Sequence, residues 1–570
     1  MEDQKRICPL CNTDNLRQFI SFGQMPVANA FIKKEELSNP EFRYEMAVGF
    51  CEHCKMMQLM NNVPYEKYIV PDKNGKRNYA FFSSMSTKAM EDHFTGIARE
   101  IESKFLDPVS RVLEIGSNDG IFLKNFKHNK VLGIEPSNNV ADVAIQKGIE
   151  TITEFFSEGL ANKLVSQYGK FKVIFSANVI LNILDLHELL SGVNILLEND
   201  GVFMFEDPYI LDILEKTSYD QIYDEHIWYF SLTSLSNLLN MHDLEIFDAE
   251  RQWVHGGSMK VYVCKKGKRI KTERLCKYLQ DEKEKGIDTI KPYLEFTERV
   301  KESKKELINL LLKLKSQGKK IVGYAAASKG TIVMNYCNIG KDIIDYIVDS
   351  TPYKQGLYTP GKQIPIVSPE YFKQDKNVDY ALLSAWNHAE GIMEKEREFL
   401  CRGGKFIVHY PKARILEPIE PVKDNFISAI KELDTFANDQ GHLLSIRKDN
   451  QFFEGKVGQA LVSTIYPGVI KGLHLHEKQT DYTTCIKGNI KYISIKENSD
   501  GTKEIKTYIL GERNPIIVKT SPGTWHGYMP LANQEATILH LMDEEYNPDN
   551  DDTQRRDPFY FGDVWSVKNN

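Results

Sequence analysis

The period of the hydrophobic pattern changes once along this chain, near residue 416, and that change limits the architectures open to it. Before it, strand-like apolar runs alternate with helical stretches: RVLEIG, KVLGIEP, KVIFSANVI and GVFMFEDP, then KKIVGYAAASKG, IIDYIVDS, VDYALLSAW and KFIVHYP. Such alternation argues for parallel sheets with crossover helices. After it come short runs broken by glycine and proline, among them LVSTIYPGVIKGLHLH, YTTCIKGNIKYISIK and IIVKTSPGTWHGY. That pattern belongs to an antiparallel sandwich or barrel. Pro411, Pro418 and Pro421 punctuate the junction as an extended linker.

The 570 residues suit about four domains. The boundaries expected are a cysteine-bearing lobe at 1–64, an α/β domain at 65–264, a second α/β domain at 265–415, a linker at 416–425 and a β-domain at 426–570. The second α/β domain opens on a Lys-, Glu- and Leu-rich stretch, 268–318, that reads as long helices.

Acidic residues number 79 against 72 basic, a net charge of −7, which argues against a dedicated nucleic-acid binder. No apolar run approaches the ~18 residues of a membrane span. The opening MEDQKRICPLC lacks the apolar core of a signal peptide. The expected location is the cytoplasm, with the nine cysteines mostly reduced.

Cys8-Pro-Leu-Cys11 and Cys51-Glu-His-Cys54 form two CxxC turns. Two such turns complete a tetrahedral thiolate shell that suits zinc, as a closed structural site folding a small lobe. His53 reads as a bystander.

Arg111-Val-Leu-Glu114-Ile-Gly116-Ser117-Asn118-Asp119-Gly120 is a strand followed by a glycine-bearing turn, and Glu135 ends the next strand. An acid at the tip of the second strand accepts from ribose hydroxyls. Flanking carboxylates disfavour a pyrophosphate and suit the sulfonium and ammonium of S-adenosylmethionine. Asn178 is a candidate wall of the adenosyl pocket. In the second α/β unit, Gly323-Tyr324-Ala-Ala-Ala-Ser328-Lys329-Gly330 leads from a strand into a helix and suits a pyrophosphate. NAD is the rival ligand there, although the paired glycines of its fingerprint are missing. Trp386 and Asn387 either contact that ligand or, for Trp386, belong to the core.

CPLC…CEHC, NYAFFSSMS, EIGSNDG, IEPS, SANVI and YDEHIWYFS occur in the order of the sugar C-3 methyltransferases, and residues 7–412 resemble that family. The resemblance implies a zinc lobe, a methyl-donor domain of Rossmann-like type, and a second Rossmann-like domain holding the nucleotide half of a nucleotide-linked 4-keto-deoxysugar. Methylation beside a ketone needs a base and an enolate. On the family's Tyr-x-Glu-His motif, His226 is the base, Glu225 orients it or contacts the sugar, and Tyr223 donates to the enolate oxygen. Tyr79 falls where the family carries active-site tyrosines. Phe81 stands where a second tyrosine is expected, and Asn182 where relatives often have histidine.

In the β-domain, His474 and His476 share one face of a strand and His526 follows a turn. A metal site and metal-free histidine acid–base chemistry are both open to them. DQGHLLSIR, PGVIKGLHLH, CIKGN, SPGTWHGY and YNPDNDD resemble the dTDP-4-dehydrorhamnose 3,5-epimerase family over residues 426–566. That resemblance implies a cupin-like jelly roll that needs no metal. It makes His474 the base, His526 the family's HG histidine, and Lys471 the phosphate contact, with His476 beside the substrate. Asp481 aligns with a lysine of those enzymes, while His540 and Tyr546 lie near their catalytic tyrosine. Epimerisation at C5, or at C3 and C5, is the expected activity. A 3,4-ketoisomerase and an inert cupin are alternatives for this half, and a zinc-bearing nucleic-acid methyltransferase is the alternative of another class. The resemblance also implies a homodimer through the β-domain.

Overall fold

A computed structural model describes residues 5–67, 69–71, 76–79, 83, 88–416, 428–432, 434–438, 441–445, 458–498, 502–512, 514–531, 535–544 and 553–566. The chain divides into two compact units, Met1–Ile419 and Glu420–Asn570. The three N-terminal blocks are thus one body: one apolar cluster runs through all of them from Cys8 to Ile407, and each α/β block adds a cluster of its own. Phe81, Tyr546 and the linker from 417 onward lie outside the described residues.

The centre of the first unit is a seven-stranded sheet. Its strands are β1 (Arg111–Ile115), β2 (Lys130–Ile134), β3 (Thr151–Ile152), β4 (Phe171–Ala177), β5 (Leu197–Pro208), β6 (Leu244–Gln252) and β7 (Ser258–Lys265). Their order is β3-β2-β1-β4-β5-β7-β6. Pairs among β1 to β5 are parallel, and β7 runs antiparallel to both its neighbours. β1, β4 and β5 are buried along nearly their whole length, as strands covered on both faces must be. The strand order reverses between β1 and β4, and ligands of open α/β sheets bind outside the carboxyl ends of the strands at such a point.

The second α/β block repeats the principle. Ile366–Val367, Ile347–Val348, Ile321–Tyr324, Tyr380–Leu383 and Lys405–Val408 are parallel, and Arg414–Ile415 closes the sheet antiparallel. The Lys- and Glu-rich stretch forms helices Glu273–Glu284 and Lys291–Ser316. The longer one buries Tyr293, Phe296, Val300, Leu307 and Leu311, the i, i+3, i+4, i+7 pattern of a single apolar stripe.

The cysteine lobe is an antiparallel sheet with a borrowed strand. Lys5–Arg6, Leu16–Pro26, Arg43–Cys51 and Met57–Leu59 continue into Trp228–Tyr229, a distant segment that begins just past His226 and Ile227.

The second unit packs two five-stranded antiparallel sheets. One runs Ser428–Glu432, Ile516–Thr520, Asp481–Lys487, Ala536–Met542, Gln459–Ile465. The other runs Lys503–Gly511, Asn489–Glu497, Trp525–Pro530, Lys471–His476, Thr553–Arg555. This is the jelly-roll architecture expected of the β-rich segment.

Candidate active sites and the thiolate centre

In the cysteine lobe all four Sγ atoms lie within 4.8 Å of one another. Cys8 and Cys54 are 3.8 Å apart, and Cys11 and Cys51 3.6 Å. Sulfurs around a tetrahedral zinc at ~2.3 Å stand about 3.8 Å apart, so the set fits zinc. Hydrogen bonding with Cys51 and Cys54, and the Gln58 amide donating at 3.2 Å, favour thiolate at Cys8. His53 is exposed and outside the cluster.

Glu114 ends β1 and Asn178 follows β4, so both stand at the point where the strand order reverses. Gly116 and Gly120 have φ of 75° and 78°. A Cβ on Gly116 would lie 2.3 Å from Val179 Cγ2, so only glycine fits. Glu135 accepts the backbone N–H of Asn118 at 3.0 Å and of Ser137 at 2.8 Å, which locks the turn. Asp119 is buried with Lys147 3.7 Å away. Burial, then the negative charges of Glu135 and Asp119, push the Glu114 carboxyl well above its usual range. Among the described residues, the buried Glu114 Oε2 and Ser117 Oγ have no hydrogen-bond partner. Crowded acids with open lone pairs suit a ligand bringing positive charge and hydroxyl donors, which fits S-adenosylmethionine.

The stretch 76–79 lies across this pocket. Asn138 and Asn139 accept the N–H groups of Arg77 and Tyr79 at 2.9 and 3.0 Å, and Asn118 accepts that of Ser83 at 2.9 Å. The Tyr79 hydroxyl donates to Glu225 Oε2 at 2.8 Å. Loss of water around that hydroxyl, then the charges of Glu225, Tyr223 and Glu135, drive the Tyr79 phenol strongly upward. Tyr79 therefore feels an acid of the donor pocket and an acid of the Tyr-Asp-Glu-His motif together.

The motif is fixed from the cysteine lobe. Ala28 N donates to Asp224 Oδ1 and Asn29 Nδ2 to Glu225 Oε1, each at 2.8 Å. Burial raises both carboxyls; the Glu225 charge raises Asp224 further, while the bonds from Asn29 and Tyr79 hold Glu225 back. Tyr223 and His226 are half-exposed within an otherwise buried loop, their rings 3.9 Å apart. His226 Nδ1 faces the Gln221 carbonyl at 2.9 Å. A carbonyl only accepts, so Nδ1 carries the hydrogen and Nε2 keeps its lone pair. Burial lowers the His226 pKa to about 3, which keeps the ring neutral.

Lys329 and Ser328 open helix Ser328–Tyr336, at the point where the second sheet reverses. Ser328 donates to Asn29 Oδ1 at 2.9 Å. Lys329 Nζ lies 3.3 Å from the His255 carbonyl and 4.8 Å from the Trp386 ring, so it faces the methyltransferase sheet. Asn387 is half-exposed beside it in sequence. Tyr324 turns into the core, and Trp386 takes the core position open to it while its ring borders Lys329. The Tyr324 hydroxyl is committed to Glu396 at 2.6 Å between Phe372 and Phe406. Trp386 stacks on Tyr410 and donates to Asp220 at 2.6 Å. Both are core residues.

Sequence reasoning missed Asn29 and His255. His255 accepts from Asn178 at 3.1 Å, and burial followed by the Lys329 charge lowers its pKa to about 3. Asn182 points Nδ2 at the Asn178 carbonyl at 3.4 Å, and its buried Oδ1 is unbonded.

In the β-domain, His474 and His526 oppose each other on paired strands with rings 4.0 Å apart. Asp481 reaches them from the other sheet. Its Oδ2 lies 3.0 Å from His526 Nε2 and 3.5 Å from His476 Nε2, and Oδ1 accepts from Gln479 at 2.6 Å. Burial opposes ionisation of Asp481, but the bond with His526 prevails and holds it below the usual range. Burial, then His526, keeps His474 far below the usual histidine value. His540 stands apart, Nε2 at 3.1 Å from the Tyr528 hydroxyl and Nδ1 at 3.2 Å from Thr483 Oγ1. Lys471 is exposed, 5.8 Å above the Tyr528 ring.

The first unit matches three family models in sequence: a zinc binding domain described as putative (8–68), a methyltransferase domain (90–249) and a C-methyltransferase C-terminal domain (253–411). It is 32% identical over 415 residues to the C-methyltransferase NovU of Streptomyces niveus, covering 72% of this chain and 96% of that protein. The chain belongs to the C-methyltransferase family. Residues 428–565 match the dTDP-4-dehydrorhamnose 3,5-epimerase model. They are similar to the spore coat polysaccharide biosynthesis protein SpsL of Bacillus subtilis, 34% identical over 128 residues, 22% of this chain and 85% of that one. The solved 4-keto-6-deoxy sugar epimerase NovW of Streptomyces spheroides is 21% identical, covering 23% of this chain and 70% of that chain with a TM-score of 0.21. This C-methyltransferase thus carries a sugar epimerase-type domain fused at its C-terminal side. Its methyltransferase domain implies S-adenosylmethionine, and its four cysteines are consistent with zinc. No helix among the described residues is long and apolar enough to cross a membrane.

Proposed function

We propose that this C-methyltransferase methylates C3 of a nucleotide-linked 4-keto-6-deoxyhexose, and that its β-domain epimerises the same class of sugar at C5, or at C3 and C5. The observation that carries the first half is Tyr79, joined to Glu225 by a hydrogen bond and within the field of Glu135. It sets the proton-transfer group against the donor pocket.

A carbon beside a ketone loses a proton because the charge delocalises onto oxygen. His226 Nε2 takes that proton. Tyr223, packed on the His226 ring, offers its hydroxyl to the enolate oxygen. Glu225, gripped by Asn29 and Tyr79, fixes the phenol that borders both pockets. Bound S-adenosylmethionine would supply a methyl carbon activated by its sulfonium. Lys329 and the amino end of its helix suit the substrate's diphosphate. In the β-domain the His474, His526 and Asp481 group lies at the reacting carbonyl, where enolisation again labilises the neighbouring carbon.

Paired substitutions separate the halves. His226→Asn is expected to cut methylation by roughly 10²–10⁴-fold while the β-domain still exchanges sugar protons with solvent. His474→Asn is expected to do the reverse. Loss of both activities in either folded variant contradicts the two-site account.

A further inference from the structure

We propose that the β-domain holds a metal centre of its own, in which His474, His476, Asp481 and His526 bind one divalent first-row transition-metal ion. The site stands on its own geometry; only the ion's role rests on the epimerase reading above.

The donor atoms of these four residues all lie within 4.8 Å of one another. Donors about 2.1 Å from an ion stand about 3.0 Å apart when adjacent and about 4.2 Å apart when opposite, so a small contraction closes the shell. The backbone places the four firmly. His474 and His526 are register partners on neighbouring strands, His476 is two residues along the first, and Asp481 opens a strand of the facing sheet.

Hydrogen-bond arithmetic at His526 points to a cation. Its Nδ1 lies 3.0 Å from the Thr524 carbonyl, which only accepts, so Nδ1 bears the hydrogen. In the neutral ring Nε2 then turns a lone pair on Asp481 Oδ2 at 3.0 Å. His476 Nε2 approaches that same oxygen at 3.5 Å, and the His474 ring lies against that of His526. A proton on His526 relieves one of these contacts. A metal ion in the middle would take the lone pairs of His526 and Asp481 together, and that of His476 when its Nδ1 keeps the hydrogen toward the Thr553 hydroxyl at 3.3 Å.

The surroundings are those that metal ligands need. The Thr524 carbonyl orients the His526 ring, and the Gln479 amide holds Oδ1 so that Oδ2 faces the cluster. Three imidazoles and one carboxylate, without sulfur, select zinc, nickel, cobalt, manganese or iron(II) over copper(I). Four protein ligands leave positions in a six-coordinate shell for a substrate's keto oxygen. Coordination there would polarise the ketone whose flanking carbon is to be enolised; with His474 then a ligand and not the base, the proton would pass to hydroxide from solvent, giving water.

The test is a metal count on the full chain, stripped with chelator and then dialysed in turn against zinc, nickel, cobalt and manganese. Two ions per chain are expected with the best metal, one of them zinc on the four cysteines. His476→Gln and Asp481→Asn should each lose the second ion only, with unchanged circular dichroism. X-ray absorption on the second ion in the unsubstituted protein should show imidazole nitrogen and no sulfur. One ion per chain with every metal overturns the proposal, as does a second ion retained in both variants or one bound to sulfur. Deuterium exchange into a 4-keto sugar nucleotide separates the two claims. Exchange undiminished in stripped protein removes the ion's catalytic role and leaves the epimerase reading. A filled site with no exchange removes that reading and leaves the metal centre.

Discussion

His226 is defined by one hydrogen bond. Its Nδ1–H is anchored on Gln221, which leaves Nε2 as the nitrogen for the base role proposed above, and burial holds the ring neutral with a pKa of about 3. For the free enzyme, kcat/KM of methylation should therefore show no acidic limb near the ordinary histidine value of about 6.5. A limb there in a pH profile contradicts the assignment. The same depression, shared by His255, has a stability sign. The unfolded rings bind protons that the folded ones refuse, so this stability is present above about pH 6.5 and lost as pH falls toward 3. Denaturant titrations should show the loss lessened by His255→Asn. Gly116→Ala drives a Cβ into Val179 at positive φ. It should cost about 1–3 kcal/mol and weaken methyl-donor binding, read by denaturant melts and calorimetry. The Tyr-Asp-Glu-His motif and the four cysteines were legible in the sequence because each is a local spacing. Asn29 was not, because its partner Glu225 is 196 residues away and an isolated asparagine carries no pattern.

At the scale of elements, the thiolate lobe and the catalytic loop share a sheet. Trp228 and Tyr229 pair with Gln58 and Met57, and Leu59 N donates to the Ile227 carbonyl at 2.9 Å. The strand that follows the second cysteine turn thus pairs with the short strand that comes just after His226. Emptying the thiolate site by Cys8→Ser with Cys51→Ser, which leaves the β-domain's histidines untouched, should abolish methylation and leave proton exchange by the β-domain intact. If methylation survives complete zinc loss, the lobe has no hold on the base. This coupling was hidden in the sequence. Trp228–Tyr229 is a two-residue strand without enough length to alternate, whereas β1, β4 and β5 carry the longer apolar stretches VL, VIF and VFMF. Tyr324 misled for a related reason. It ends a strand beside a ligand-type turn, but alternation turns its ring into the core against Phe372 and Phe406.

For the whole molecule, the break in hydrophobic period near residue 416 matches the division into two compact units at 419 and 420. The three blocks ahead of it were distinct in pattern yet share one apolar cluster, since apolar pattern reveals which residues are buried and not which neighbours bury them. The central claim is that both units enolise one class of ketone. The direct measurement is NMR of a nucleotide-linked 4-keto-6-deoxyhexose incubated with the full chain and S-adenosylmethionine in D₂O. The account predicts a new methyl group at C3 and deuterium at C5. A sugar recovered with neither methyl nor deuterium would contradict it.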